Sequence, residues 1–305
     1  GGVTSFLGGD NVDVTLNVDG ASQAAELANL AGVDNVDLSA LGIDNVSFSF
    51  GDAELNDLLS SNSALKADID AIQADGVKVN GMFDLVAEDG IKLTQDQAAD
   101  LLADGLSFAA DDTIGLSVDA AQSTHLSTSL KDLQKLGVDA VAVAGEGVDG
   151  FNIDVGSDGA LSATGLPTFA NVDGNDITVT LNVADTAQLG QVAGLSAELA
   201  GAGIDNVEFS IASDGELSAL LSNADFSSDL DAIRNNLSLS TIDMANNAAV
   251  SLTDSEASTL LAEGLNFAAD DSHITLQADA GSTHLSTSLK DLQKLGVDAV
   301  AVAGN

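Results

Sequence analysis

The 305-residue chain has no cysteine, no tryptophan and no tyrosine, one proline, and eight Lys and Arg residues against 48 Asp and Glu. Each shortage closes off a class of chemistry. Without cysteine there are no disulfides, thiolate nucleophiles or zinc sites of the cysteine type. Its absence from so long a chain favours a secreted bacterial protein that folds without disulfides. Without Trp and Tyr, which sugar sites and tight interfaces lean on, no strong ligand site is expected. The scarcity of cations leaves a net charge of −40. Nucleic acid and anionic membrane both recruit Lys and Arg clusters, so neither is an expected partner. No run approaches 18 apolar residues, which argues against membrane insertion. Gly1 to Gly9 carry no basic head and no apolar run, so they do not read as a signal peptide. The chain reads as a mature product or an excised fragment.

What remains is ample. Hydrophobic residues make up 45% of the chain, enough for real cores and unlike a disordered acidic tail. An acidic surface attracts cations and stays soluble when crowded; a halophile would show the same balance.

The dominant signal is internal repetition. Ser123–Gly145 (STHLSTSLKDLQKLGVDAVAVAG) recurs residue for residue as Ser282–Gly304, at an offset of 159. Gly105–Asp112 matches Gly264–Asp271 at the same offset, Gly42–Val46 matches Gly203–Val207, and Val14–Val18 matches Val179–Val183. The expected division is residues 1–9 as the tail of a preceding connector, 10–145 as repeat one, 146–174 as a Gly/Asp/Ser-rich connector holding Pro167, and 175–305 as repeat two. Two copies cut in phase suggest a longer parent array; a single duplication is the alternative.

Within each copy, period-two alternation marks strands with one buried and one wet face. Examples are Val12, Val14, Leu16 and Val18; Val46, Phe48 and Phe50; Ile177, Val179, Leu181 and Val183; and Val207, Phe209 and Ile211. Phe151–Val155 reads as a strand running into the turn Gly156–Gly159. Helical spacing links Leu130, Leu133 and Leu136, and Leu65, Ile69 and Ile72. Thr94 with Gln97 and Thr253 with Glu256 form capping boxes. A recurrent phrase follows the helices: Gly, then Val or Ile, then often Asp-x-Val. It occurs at Gly32, Gly42, Gly76, Gly137, Gly203 and Gly296, and predicts a left-handed glycine stop before a strand. The expected fold is α/β: tandem-repeat, two-layer, solenoid-like domains with helices on one face of a largely parallel sheet. A compact α/β domain per repeat is the alternative.

No catalytic constellation is present. His125 and His284 occupy the same repeat position before a helix start, and His273 sits in a one-residue insertion. None has a Cys or a second His at i+4 nearby, and there is no G-x-S-x-G, Walker loop or G-x-G-x-x-G. No catalytic residue is assigned, and the chain reads as a non-enzyme. Calcium is the one candidate cofactor, because hard cations take several oxygens from flexible loops. The candidate ligands are Asp149, Asp154 and Asp158 in the connector, with Asp111–Asp112 and Asp270–Asp271 in matching loops.

At Leu133–Val141 (LQKLGVDAV), and at its cousins reading Gly-Ile-Asp-Asn-Val, the chain resembles the repetitive segments of very large RTX-type, type I-secreted adhesins and biofilm surface proteins of proteobacteria. The likeness spans nearly the whole chain and lies in the general character of the repeats, which are acidic, Cys-free and poor in aromatics and Lys. It implies an extracellular or cell-surface location, calcium-assisted folding and a role in attachment. The calcium nonapeptides of that family are missing here. Two expectations follow. One is a structural spacer within a larger adhesin or biofilm matrix protein, with neighbouring repeats and cell-surface or matrix components as partners. The other is a self-assembling filament, sheath or surface layer of identical subunits. A third class uses the Thr-lined strand face (Thr15, Thr178, Thr180) to bind sugar or ice.

Overall fold

The computed structural model describes residues 14–32, 38–50, 64–74, 77–85, 90–172, 177–278 and 287–302. The 1–9 tail, Val12, Gly76 and His284 lie outside them. Strand and helix alternate along the chain. The first elements are β1 (Thr15–Asp19), α1 (Ala21–Gly32), β2 (Asn45–Phe50), α2 (Ala64–Ala74) and β3 (Lys78–Leu85). Next come β4 (Ile91–Thr94), α3 (Gln95–Ala103), β5 (Ser107–Phe108), β6 (Ile114–Asp119), β7 (His125–Leu126), α4 (Leu130–Leu136) and β8 (Ala140–Ala144). The middle holds β9 (Gly150–Asp154), β10 (Thr168–Asn171), β11 (Thr178–Val183), α5 (Thr186–Gly194), α6 (Ser196–Gly201) and β12 (Asn206–Ile211). Then follow α7 (Asp214–Leu221), α8 (Phe226–Arg234), β13 (Ser238–Met244), β14 (Val250–Thr253) and α9 (Asp254–Ala262). The last are β15 (Asn266–Phe267), β16 (Ile274–Ala278), α10 (Leu289–Leu295) and β17 (Ala299–Val302).

The chain forms two compact units. One comprises Gly1–Ser117 with Asp132–Val141, the other Val118–Lys131 with Ala142–Asn305. In the first, β1, β2, β3 and β5 lie side by side in a parallel sheet, and β4 pairs with β6 from Ile91↔Ile114 to Thr94↔Ser117. In the second, a six-stranded sheet runs β7-β9-β11-β12-β13-β15, and β14, β16 and β17 form another. Their pairings are parallel as well.

The fold is thus α/β and parallel, but each copy uses more than one sheet. Link length explains this. Residues 109–113 join β5 to β6, and residues 268–273 join β15 to β16. A parallel return to the same sheet needs about a dozen residues or more, so these strands enter a different sheet. The two-residue strands β5 and β15 carry too few residues for period-two alternation to single them out in the sequence.

The expected local features are in place. Alternating residues of β11 and β12 are buried, among them Val179, Leu181, Val183, Val207, Phe209 and Ile211. Ile69, Ile72, Leu130, Leu133 and Leu136 are buried from their helices. Thr94 and Thr253 make full capping boxes with Gln97 and Glu256. Gly42, Gly137, Gly203 and Gly296 have φ of 81°, 85°, 89° and 92°, as a left-handed stop requires. Gly32 differs: it is the last residue of α1 itself.

The Asp of the Gly-Val/Ile-Asp phrase does a specific job. The Ile114 amide donates to Asp139 Oδ2 (2.8 Å) while the Asp139 amide donates to the Ile114 carbonyl (2.9 Å). The same reciprocal pair joins Val14 to Asp44, Val179 to Asp205, and Ile274 to Asp298. Each time, an Asp at the start of a strand closes the first hydrogen bonds of the neighbouring strand. A backbone amide that would otherwise lack a ladder partner is satisfied by a carboxylate. Part of the chain's acidic complement therefore serves strand register.

Candidate functional site

Parallel register turns the polar faces of the strands into lateral rows. Asp154, Asn182 and Glu208 share one row across β9, β11 and β12. Asn182 Nδ2 donates to Asp154 Oδ1 at 2.9 Å, and His125 Nε2 lies 3.2 Å from Asp154 Oδ2. His125 therefore sits in β7 and reaches across the sheet toward a carboxylate. In the other unit the corresponding row pairs Asn17 with Ser47, whose hydroxyl donates to Asn17 Oδ1 at 2.7 Å.

Two depressions lie on these faces. One, of about 390 Å³, is lined by Asn17, Asp19, Ser47, Phe48, Ser49, Ala109 and Asp111. The other is smaller, about 130 Å³, and is lined by Thr180, Asn206, Val207, Glu208, Ser238, Ser240 and Thr241. Both are open to solvent rather than enclosed; the smaller is lined mainly by polar groups, while Phe48 and Ala109 make the lining of the larger mainly apolar.

The second unit gathers acids around the far end of its large sheet. Burial first, and then the charges of Asp243, Asp270 and Asp271, push the Glu208 carboxyl above the usual range. Burial and Asp270 do the same to Asp243. Burial also raises Asp271, against the hydrogen bonds it accepts from the Met244 and Ala268 amides. Glu208 and Asp243 do not stand out in the sequence. Alternation does put Glu208 on a polar face, but only the pairing of β12 with β13 (Ser210↔Asp243) and of β13 with β15 brings those acids toward the 270–271 loop.

The calcium candidates divide by what they already hold. Asp154 is engaged through both oxygens by Asn182 and His125. Asp271 accepts the Met244 amide with both oxygens (3.0 and 3.1 Å) and the Ala268 amide at 3.2 Å. Asp112 accepts the Ala109 amide at 3.1 Å, the same turn in the other copy. Asp111, Asp149, Asp158 and Asp270 are exposed, Asp111 on the rim of the larger depression. Asp149, Asp154 and Asp158 belong to one connector but to different places: Asp149 just before β9, Asp154 at its end, and Asp158 in the turn beyond. Among the described residues, no three His, Asp or Glu side chains are grouped so as to hold a metal ion.

Lys66 and Arg234 are held by acids and carbonyls. Lys66 Nζ lies 2.6 Å from Asp104, and that hydrogen bond is the chief cause raising the lysine's pKa. Arg234 donates to the carbonyls of Glu263 and Leu239 and lies 3.6 Å from the Glu263 carboxylate, fastening the end of α8 to the end of α9. Among the described residues, no helix is long and apolar enough to cross a membrane. Compared with known proteins, the chain matches no family model, and no curated protein sequence matches it.

Proposed function

We propose that the chain is a non-enzymatic structural repeat segment of a large extracellular bacterial adhesin or biofilm matrix protein, with a solenoid architecture in which successive coils add parallel strands. The observation that carries this reading is the recurrence of one closure. Two copies of the sequence, 159 residues apart, close their strands with the same reciprocal Asp hydrogen bonds, at Asp139 and again at Asp298. A device that satisfies each coil locally allows coils to be copied end to end. The neighbour order of the six-stranded sheet supports the stacking. The net charge of −40 suits a long chain kept soluble and extended outside the cell. Staining of intact source cells with an antibody against Ser282–Gly304 tests the location; signal only after permeabilisation contradicts it.

A second reading, a self-assembling filament or surface layer, is favoured by one feature: Leu289, Val300 and Val302 are exposed at 76%, 39% and 69%. Light scattering separates the two, since a spacer stays monomeric across concentration and a filament subunit polymerises. Calcium-assisted folding belongs to the adhesin reading. A melting temperature that is the same in excess calcium and in chelator removes it.

A further inference from the structure

The same 23 residues occur twice in two environments. In the first copy Leu130 is 0%, Lys131 7%, Val141 0% and Val143 1% exposed. In the second, Leu289 is 76%, Val300 39% and Val302 69% exposed, and Lys290 is exposed as well. Sequence cannot cause the difference, because the sequence is identical. Leu292 and Leu295 stay buried at 3% and 0%, so α10 packs inward as α4 does; it is the outer side that differs.

What meets Lys131 and Val143 lies with them in the second compact unit. The connector turns back at Gly145, where the Val148 amide donates to its carbonyl at 3.4 Å. It then lays β9 beside β7, with His125↔Asn152 and Leu126↔Ile153 in register. The Val155 carbonyl accepts the Lys131 amide at 3.2 Å, and the Val172 amide donates to the Val143 carbonyl at 3.1 Å. Phe151, Ile153, Val155, Leu161 and Phe169 are buried there. The fit depends on one glycine. At Gly156, φ is 97°, and a Cβ would collide with Ser129 Oγ and lie 2.8 Å from Ser129 Cβ.

We infer that the outer side of Leu289–Val302 is the docking face for a connector coil of the kind formed by Glu146–Val172, with a glycine where Gly156 stands, seated against Ser288, Lys290 and Val302. This rests on the array reading proposed above, since the coil belongs to a following unit. Ser288, Lys290 and Val302 correspond to Ser129, Lys131 and Val143, which the coil meets in the first copy, so the cover seen there defines the cover of the second. Burying three large side chains also gives the coil an apolar reason to stay.

The test keeps Gly1–Gly304 and places a second Glu146–Val172 sequence directly after Gly304, in place of Asn305. Hydrogen exchange of residues 289–302 is compared with that of residues 130–143. The expected result is exchange in 289–302 slowed about tenfold or more by the appended coil, with no slowing when the appended copy carries the change corresponding to Gly156→Val. Unchanged exchange in 289–302 overturns the inference. So does protection of those residues in the unextended chain that grows with concentration, which makes a second copy of the chain the occupant. The array reading fails separately: a small intracellular parent sinks it whatever the exchange shows, and a long surface parent with unchanged exchange sinks only the docking face.

Discussion

Asp205 and Val179 hold each other twice: the Val179 amide reaches Asp205 Oδ2 at 2.8 Å, and the Asp205 amide reaches the Val179 carbonyl at 2.9 Å. Only the carboxylate half can be removed by mutation. Asp205→Ala leaves the buried Val179 amide without that acceptor and is expected to cost about 1–3 kcal/mol. Asp205→Asn keeps an acceptor oxygen and is expected to cost less than half as much. Urea unfolding checks both; equal losses would show that the side chain acts only through its charge.

The two capping boxes give a second test. Thr253→Ala removes the hydroxyl that accepts the Glu256 amide and is expected to cost about 1 kcal/mol. Thr94→Ala is expected to cost a similar amount, because Gln97 closes the same box in the other copy. Thermal unfolding of each variant reads the loss.

Glycine substitutions separate strain from collision. Gly264 has φ of 65° and nothing within 4 Å of where a Cβ would stand, so Gly264→Ala meets backbone strain alone, about 1 kcal/mol. Gly203 has φ of 89° and would place its Cβ 2.5 Å from the Phe169 carbonyl oxygen. Gly203→Ala is therefore expected to be the more destabilising of the two by calorimetry.

Acidity should strengthen one part of the molecule and weaken another. Glu208, Asp243 and Asp271 have raised pKa values, so the folded state binds their protons more tightly than the unfolded chain. Stability from these groups is fully present below their ordinary pKa values and is lost as pH rises through the raised ones. Glu256 runs the other way. Burial opposes its charge, but hydrogen bonds from Thr253 and Ser218 outweigh burial and lower its pKa, so its contribution is lost as pH falls through the depressed value. Glu208→Gln is expected to raise the melting temperature at neutral pH and to leave it nearly unchanged in acid, below the ordinary carboxylate range. A variant less stable than the parent at neutral pH would contradict the cost of burying that charge beside Asp243, Asp270 and Asp271.

Much of the local structure is legible in the sequence because it depends on near neighbours. The alternation in Val207–Ile211, the Thr94 and Thr253 boxes and the stops at Gly137 and Gly296 are set within a few residues. The Asp-x-Val phrase is visible, but the partner of its Asp is not: Val179 lies 26 residues from Asp205, and register alone joins them. The same holds for Glu208 and Asp243, whose approach to Asp270 depends on the order of β12, β13 and β15. Asp154 shows the converse, since a connector acid that suits a cation in sequence is held by Asn182 and His125 in the fold.

The most direct test of the central claim is an immunoblot of fractionated source cells with an antibody against Ser282–Gly304. A band in the medium or envelope far above the 30.5 kDa of this chain is the predicted result, as a long extracellular array requires. A single soluble intracellular band near that mass would contradict it.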